Sequence, residues 1–116
     1  MIRVLIADDE ERWRRLLGDF LRNEGYQVDE AADGLEVVEL ARRYRFDLVL
    51  LDPPFHYDTL NEVLPALADK VAPGGVVLAE SEREAALPER AGTLVLAKQY
   101  YYGKIMVSRY EKEEQA

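Results

Sequence analysis

The sequence predicts a three-layer α/β domain built on a doubly wound, mixed sheet. Three observations carry this reading. Strand-length apolar runs alternate with amphipathic helical stripes along most of the chain, as a parallel sheet flanked by helices requires. The first and third of these runs end abruptly in acids, at Asp8-Asp9 and at Asp52. Near the carboxyl end, two strand-like segments are joined by too few residues for a crossover, so the last strand must run antiparallel.

The elements follow in order. Val4-Leu5-Ile6-Ala7 is the continuous apolar run of a strand covered on both faces. Trp13, Leu16, Leu17, Phe20 and Leu21 recur at helical spacing and form one stripe, which places Trp13 in the core; Gly25 closes that helix. Tyr26 to Ala31 alternates as a second strand, and Asp33-Gly34 turns the chain. Val37, Val38, Ala41 and Tyr44 then line a second helix leading to the strand Leu48 to Leu51. Leu60, Val63, Leu64, Leu67, Ala68 and Val71 make a third helical stripe, with Pro65 expected in its first turns or at a kink and Pro73-Gly74-Gly75 ending it. Val76 to Ala79 is the fourth strand, and Ser81 to Arg90 is polar enough for a short helix or a loop. Thr93 to Ala97 and Ile105 to Tyr110 are the fifth and sixth strands, joined through Lys98 to Lys104.

Composition bounds the function. A chain of 116 residues, 48% hydrophobic, makes one domain with one core. No run approaches the roughly 20 apolar residues of a membrane helix, and MIRVLIADDE places acids where a signal peptide continues apolar, so a cytoplasmic protein is expected. The absence of cysteine excludes disulfides and thiolate sites, and His56 is the single histidine, so any metal would be a hard cation held by carboxylates. A net charge of −8 argues against binding nucleic acid. Residues 1–52 contain no Lys and no Pro; Lys70, Lys98, Lys104, Lys112 and all five prolines follow. This divides the single domain 1–116 into fragments 1–52 and 53–110, with a charged tail, 111–116, expected to fray.

The motifs VLIADDE, G-Y-Q-V-D-E-A-A-D-G and F-D-L-V-L-L-D, with the amphipathic helix among them, resemble a response-regulator receiver domain. The resemblance implies that Asp8 and Asp9 bind Mg²⁺ together with Asp52, and that Asp52 accepts a phosphoryl group. Beyond Asp52 the receiver pattern fails. Ser81 falls near the position of the family's hydroxyl residue, and Lys98 near that of its lysine, but Gln99 follows where proline is expected; both are auxiliary candidates only.

Residues 46–110 instead resemble the end of a class I S-adenosylmethionine-dependent methyltransferase of the RNA guanine-N2 type. Asp52-Pro53-Pro54-Phe55, L-P-A-L-A-D-K-V-A-P-G-G-V-V-L-A-E and K-Q-Y-Y-Y-G-K-I-M-V-S-R-Y carry that likeness. It implies that Asp52 and a carbonyl at Pro53 accept hydrogen bonds from a target amine and that Phe55 stacks on its base. The glycine-rich cofactor loop that methylation needs is replaced by Asp8-Asp9-Glu10-Glu11, so no cofactor is expected beyond a candidate Mg²⁺, and no methyltransferase activity.

Together the two resemblances imply a flavodoxin-like and Rossmann-like hybrid with strand order 2-1-3-4-6-5 and the last strand antiparallel. They lead to the expectation of an engineered, de novo chimera with no evolved catalytic activity and no specific partner beyond a homodimer driven by an incompletely covered apolar face. The alternatives are a receiver-type, Mg²⁺-dependent phosphoacceptor and a methyltransferase or RNA-binding remnant.

Overall fold

The computed structural model describes residues 1–52 and 57–113. The described elements are, in order, β1 (Arg3–Ala7), α1 (Glu11–Asn23), β2 (Gln27–Ala31), α2 (Gly34–Arg43), β3 (Phe46–Leu51), α3 (Tyr57–Ala68), β4 (Val71–Glu82), β5 (Arg90–Ala91), β6 (Leu94–Tyr102) and β7 (Ile105–Lys112). They form one mixed sheet in the order β2-β1-β3-β4-β7-β6-β5. β1 pairs in parallel with β2 and β3, and β3 with β4; β7 lies antiparallel between β4 and β6. With the two-residue edge strand β5 set aside, this is the expected order, β6 and β7 being the expected fifth and sixth strands.

Local chemistry explains the element ends. After α1 the chain turns through Gly25 at φ 97°, with its N–H on the Arg22 carbonyl at 3.0 Å and the Tyr26 N–H on the Leu21 carbonyl at 3.1 Å, a Schellman closure. Asp33-Gly34, expected as a turn, instead starts α2. The Asp33 carboxylate caps the Glu36 N–H at 2.9 Å, and the Glu36 carboxylate reaches back to the Ala32 N–H at 2.7 Å. The carboxyl end of α3 is closed by tertiary groups, the Thr93 hydroxyl (2.9 Å) and the Lys112 ammonium, both donating to the Ala68 carbonyl.

The structure departs from expectation in the second half. Val71 does not extend the third helix but opens β4, and Pro73-Gly74-Gly75 lies inside that strand. Phe46 pairs with Val71 but Leu48 with Val76, so three extra residues loop out of β4 and rejoin the sheet. Gly74 turns at φ 80°, and a Cβ at Gly75 would stand 2.5 Å from Val71 Cγ1 and 2.8 Å from the Ala72 carbonyl oxygen. Periodicity alone cannot see a bulge, because the apolar positions on either side still fit a helix end followed by a strand. The last hairpin is also longer than expected. Tyr102 pairs with Ile105 across a two-residue turn that has Gly103 at φ 61° in its first position, as a type II′ turn requires. β7 runs on to Lys112, and Glu113 beyond it pairs with Arg90 at 2.6 Å, so the start of the expected tail is built into the sheet.

The main core lies between the sheet and helices α2 and α3. Leu5, Ala7, Val49, Leu51, Val77 and Ala79 meet Val37, Ala41, Leu60, Leu64 and Leu67 there, all buried. Tyr110 closes the far end of this core; its hydroxyl donates to the Pro88 carbonyl at 2.6 Å, and burial pushes its pKa up to about 12.

α1 alone packs on the opposite face, over Val4 and Ile6. Its Arg14 and Arg22 hold Glu30 of β2 at 3.2 and 3.0 Å, and Gly18 between them is buried. Trp13, expected in the core, is 49% exposed, with Leu16 at 63% and Phe20 at 59%. The helical stripe is real, but it is wider than the surface beneath it. The helix leans toward β2, and among the described elements none lies beside it to cover the other flank.

Gly75→Ala is expected to lower stability by about 1–3 kcal/mol, because the added methyl can be housed only by displacing strand backbone. A urea titration checks this: the midpoint should fall with the slope unchanged.

Candidate functional site

Two strands of this sheet, β1 and β3, end in acids, and β4 carries a third at the same level. In the parallel register Ala7 pairs with Leu51 and Leu51 with Ala79, so the next residues, Asp8, Asp52 and Glu80, fall in one row at the carboxyl ends of β1 and β3, beyond which β4 runs two residues further to Glu82. Strand alternation puts all three on the face that carries α1. The row is pinned by the Asp52 N–H donating to the Ala7 carbonyl at 2.9 Å and the Asp8 N–H to the Ala31 carbonyl at 3.0 Å. Asp8 is 5% exposed, and its carboxylate accepts the Glu10 N–H at 2.9 Å. Arg14 donates to the Asp8 carbonyl at 2.6 Å, which ties the loop after β1 to α1.

The electrostatics follow from crowding. Glu80 hydrogen-bonds Asp52, and this bond, with burial and the negative charge of Asp52 and Asp8, raises the Glu80 pKa to about 7. Burial raises the Asp8 pKa too, with Asp52 and Asp9 adding to it against the opposing Glu10 hydrogen bond. An oxygen-rich, anionic row of this kind suits a hard divalent cation in its donor chemistry. Among the described residues, however, no group of three such side chains is drawn together closely enough to hold one as arranged.

The other expected residues are distributed as follows. Asp9 is exposed at the rim beside Asp8. Ser81 is buried on the opposite face of the sheet, where its hydroxyl donates to the Glu82 carbonyl at 3.2 Å, and it does not join the row. Lys98 pairs with Arg109, which pairs with Leu78, and its ammonium stands 5.0 Å from the centre of the Tyr100 ring. That places it three strands from Asp52, about 14 Å away across the sheet at the usual strand spacing. The insertion of β7 between β4 and β6 is what carries it off. Pro53, Phe55 and His56 lie outside the described residues. Glu80 was missed as a candidate, although V-V-L-A-E repeats the pattern of V-L-I-A-D and L-V-L-L-D, an apolar strand ending in an acid.

Residues 4–55 match the family model described as the response regulator receiver domain. The chain is 43% identical over 91 residues to the transcriptional regulatory protein PdtaR of Mycobacterium tuberculosis, a match covering 77% of this chain and 43% of that protein. It thus spans less than half the length of this curated relative. Among solved structures, a Burkholderia pseudomallei response regulator with a phosphorylated aspartic acid, calcium ion and citrate matches with a TM-score of 0.55 at 25% identity, over 61% of this chain and 42% of that one. The putative methyltransferase yhhF from Escherichia coli superposes over 98% of this chain and 78% of its own, with a TM-score of 0.66 at 17% identity, a likeness of fold alone.

These findings overturn the expectation of an engineered, de novo chimera. A likeness of 43% identity to a natural regulator over 91 residues is longer than either fragment 1–52 or fragment 53–110, so it crosses the supposed join. The fold is a hybrid in its neighbours, receiver-like and methyltransferase-like, but the sequence is similar to that of a natural regulator across the supposed join. No helix among the described residues is long and apolar enough to cross a membrane.

Glu80→Gln is expected to stabilise the protein at pH 8 and to change little at pH 4. The folded pKa of about 7 lies above the ordinary 4.5, so the folded state holds this proton more tightly than the unfolded chain does. The stability it brings is full below pH 4.5 and is lost as pH rises to about 7. Urea midpoints of both proteins at the two pH values check this; equal midpoints at pH 8 would remove the crowding.

Proposed function

We propose that this chain is a signalling module of receiver type that takes a phosphoryl group on Asp52 in a Mg²⁺-dependent step, and that it belongs to a regulator of transcription. The observation that carries the reading is the row Asp8, Asp52 and Glu80 across three adjacent parallel strands, at the level where β1 and β3 end. The match of residues 4–55 to the receiver family supports it. So does the name of the relative PdtaR, a transcriptional regulatory protein.

In this reading an Asp52 carboxylate oxygen attacks the phosphorus of a small acyl phosphate or of a phosphorylated donor protein. The bond to the leaving group breaks, and an aspartyl phosphate results. Asp8 and Asp52, with Asp9 at the rim, would hold Mg²⁺, which when bound offsets the charge of the incoming phosphoryl group. Glu80 stands beside Asp52 in the row and, protonated up to about pH 7, adds no charge to it below that pH. Arg14 keeps the Asp8 loop in place. Lys98, three strands away, takes no part.

Incubation with acetyl phosphate and Mg²⁺ followed by intact-mass measurement tests this. A single phosphoryl adduct is expected, lost in Asp52→Asn and on chelation of Mg²⁺, and retained in Lys98→Ala. No adduct on the folded protein, or one that survives Asp52→Asn, would reject the assignment.

A further inference from the structure

Among the described elements, the sheet face that carries α1 is half covered. α1 lies over β1 and β2, while β3, β4, β7 and β6 present Leu48, Leu50, Val76, Leu78, Tyr100 and Val107 on the same face, none of them fully buried. A groove of about 430 Å³ runs among Leu48, Val76, Leu78, Tyr100, Tyr102 and Arg109. Along the near side of this surface stands the exposed flank of α1, with Trp13, Leu16 and Phe20.

The chain as a whole exposes more surface than its mass predicts. The accessible surface is 7162 Å², against about 6450 Å² for a monomer of 13.3 kDa, so the chain exposes about 700 Å² more than its mass predicts. An extended shape does not account for this, because the radius of gyration is 13.2 Å, close to the roughly 13.4 Å of a compact domain of this length. An excess of that size is close to the roughly 800 Å² that one partner contributes to a standard protein interface.

We propose that the occupant is a second copy of this chain. The surface is a step: α1 is a ridge about 10 Å high on one half, and the bare sheet is a recess of equal depth on the other. A two-fold axis lying parallel to the strands exchanges the halves, so each copy's ridge enters the other's recess. Trp13, Leu16 and Phe20 of each copy then lie on Leu48, Leu78 and Val107 of the other, the self-complementary contact that a closed dimer requires. The recess carries both signs of charge, Lys98 and Arg109 beside Glu111, and Asp52 and Glu80 stand at its end.

Sedimentation equilibrium of the full chain at micromolar concentration is expected to return twice 13.3 kDa. Leu16→Glu on the ridge and Leu78→Glu in the recess should each give a monomer with an unchanged far-UV circular dichroism spectrum. Because the chain has no cysteine, a mixture of Leu16→Cys and Leu78→Cys proteins should form a mixed disulfide under mild oxidation that neither forms alone. A wild-type chain that stays monomeric across this range overturns the proposal, as does cross-linking of Leu16→Cys to itself in preference to Leu78→Cys.

Discussion

The register of β4 against β3 is the constraint on which the rest of the structure depends. Side chains alternate along a strand, so a slip of one residue would move Glu80 from the row with Asp52 to the opposite face and turn Val77 and Ala79 out of the core. Three looped-out residues at Ala72 to Gly74 set that register, and Gly75 lets the strand re-enter where a side chain would strike Val71. One bulge therefore positions both the acidic row and the packing of α3. The same strand then pairs with β7, and through it with β6, so an error in β4 would travel across half the sheet.

The antiparallel hairpin gives the site its character. A parallel fifth strand beside β4 would bring its carboxyl end next to Glu80; β7 runs the other way and offers Val107 at that level instead. Lys98 is displaced by one strand and stands over Tyr100. The row of carboxylates is left without a cation from the sheet, and Glu80 responds by keeping its proton to about neutral pH. Carboxylates aligned by backbone register cannot relax apart, so their repulsion is relieved by protonation or by a cation supplied from outside.

Much of the fold was legible because parallel strands and amphipathic helices write themselves as apolar runs of different period. β1, β3 and the order of the sheet are of this kind. What escaped has specific causes. β4 looked like a helix end because Val71 continued the spacing of Leu60, Leu64 and Leu67. Asp33-Gly34 is a turn dipeptide in composition but a cap and first helical residue in this structure, since Glu36 sits three residues on to complete the reciprocal bond. Of the site, Asp8 and Asp52 were legible and Glu80 was not, because its role comes from the alignment of β4 and not from any motif. Ser81 lies one residue along the same strand and therefore faces the other way. The supposed engineered origin came from reading a change in composition at Asp52 as a join, when the likeness to a natural regulator runs across it.

Trp13 shows what periodicity measures. A stripe at helical spacing reports that one side of a helix is apolar; it does not report what the stripe meets. In a sheet wound on both faces, each crossover covers roughly two strands, and only one crossover lies on the α1 face. The crossovers through α2 and α3, and the connection from β4 to β6, all leave from the other side, so the apolar positions of β3, β4, β7 and β6 on this face have no helix of their own among the described elements. The width of the α1 stripe and the bare half of the sheet therefore have the same origin. The sequence carries apolar side chains suited to a fully covered sheet, and among the described elements the connectivity provides cover for one face and for half of the other.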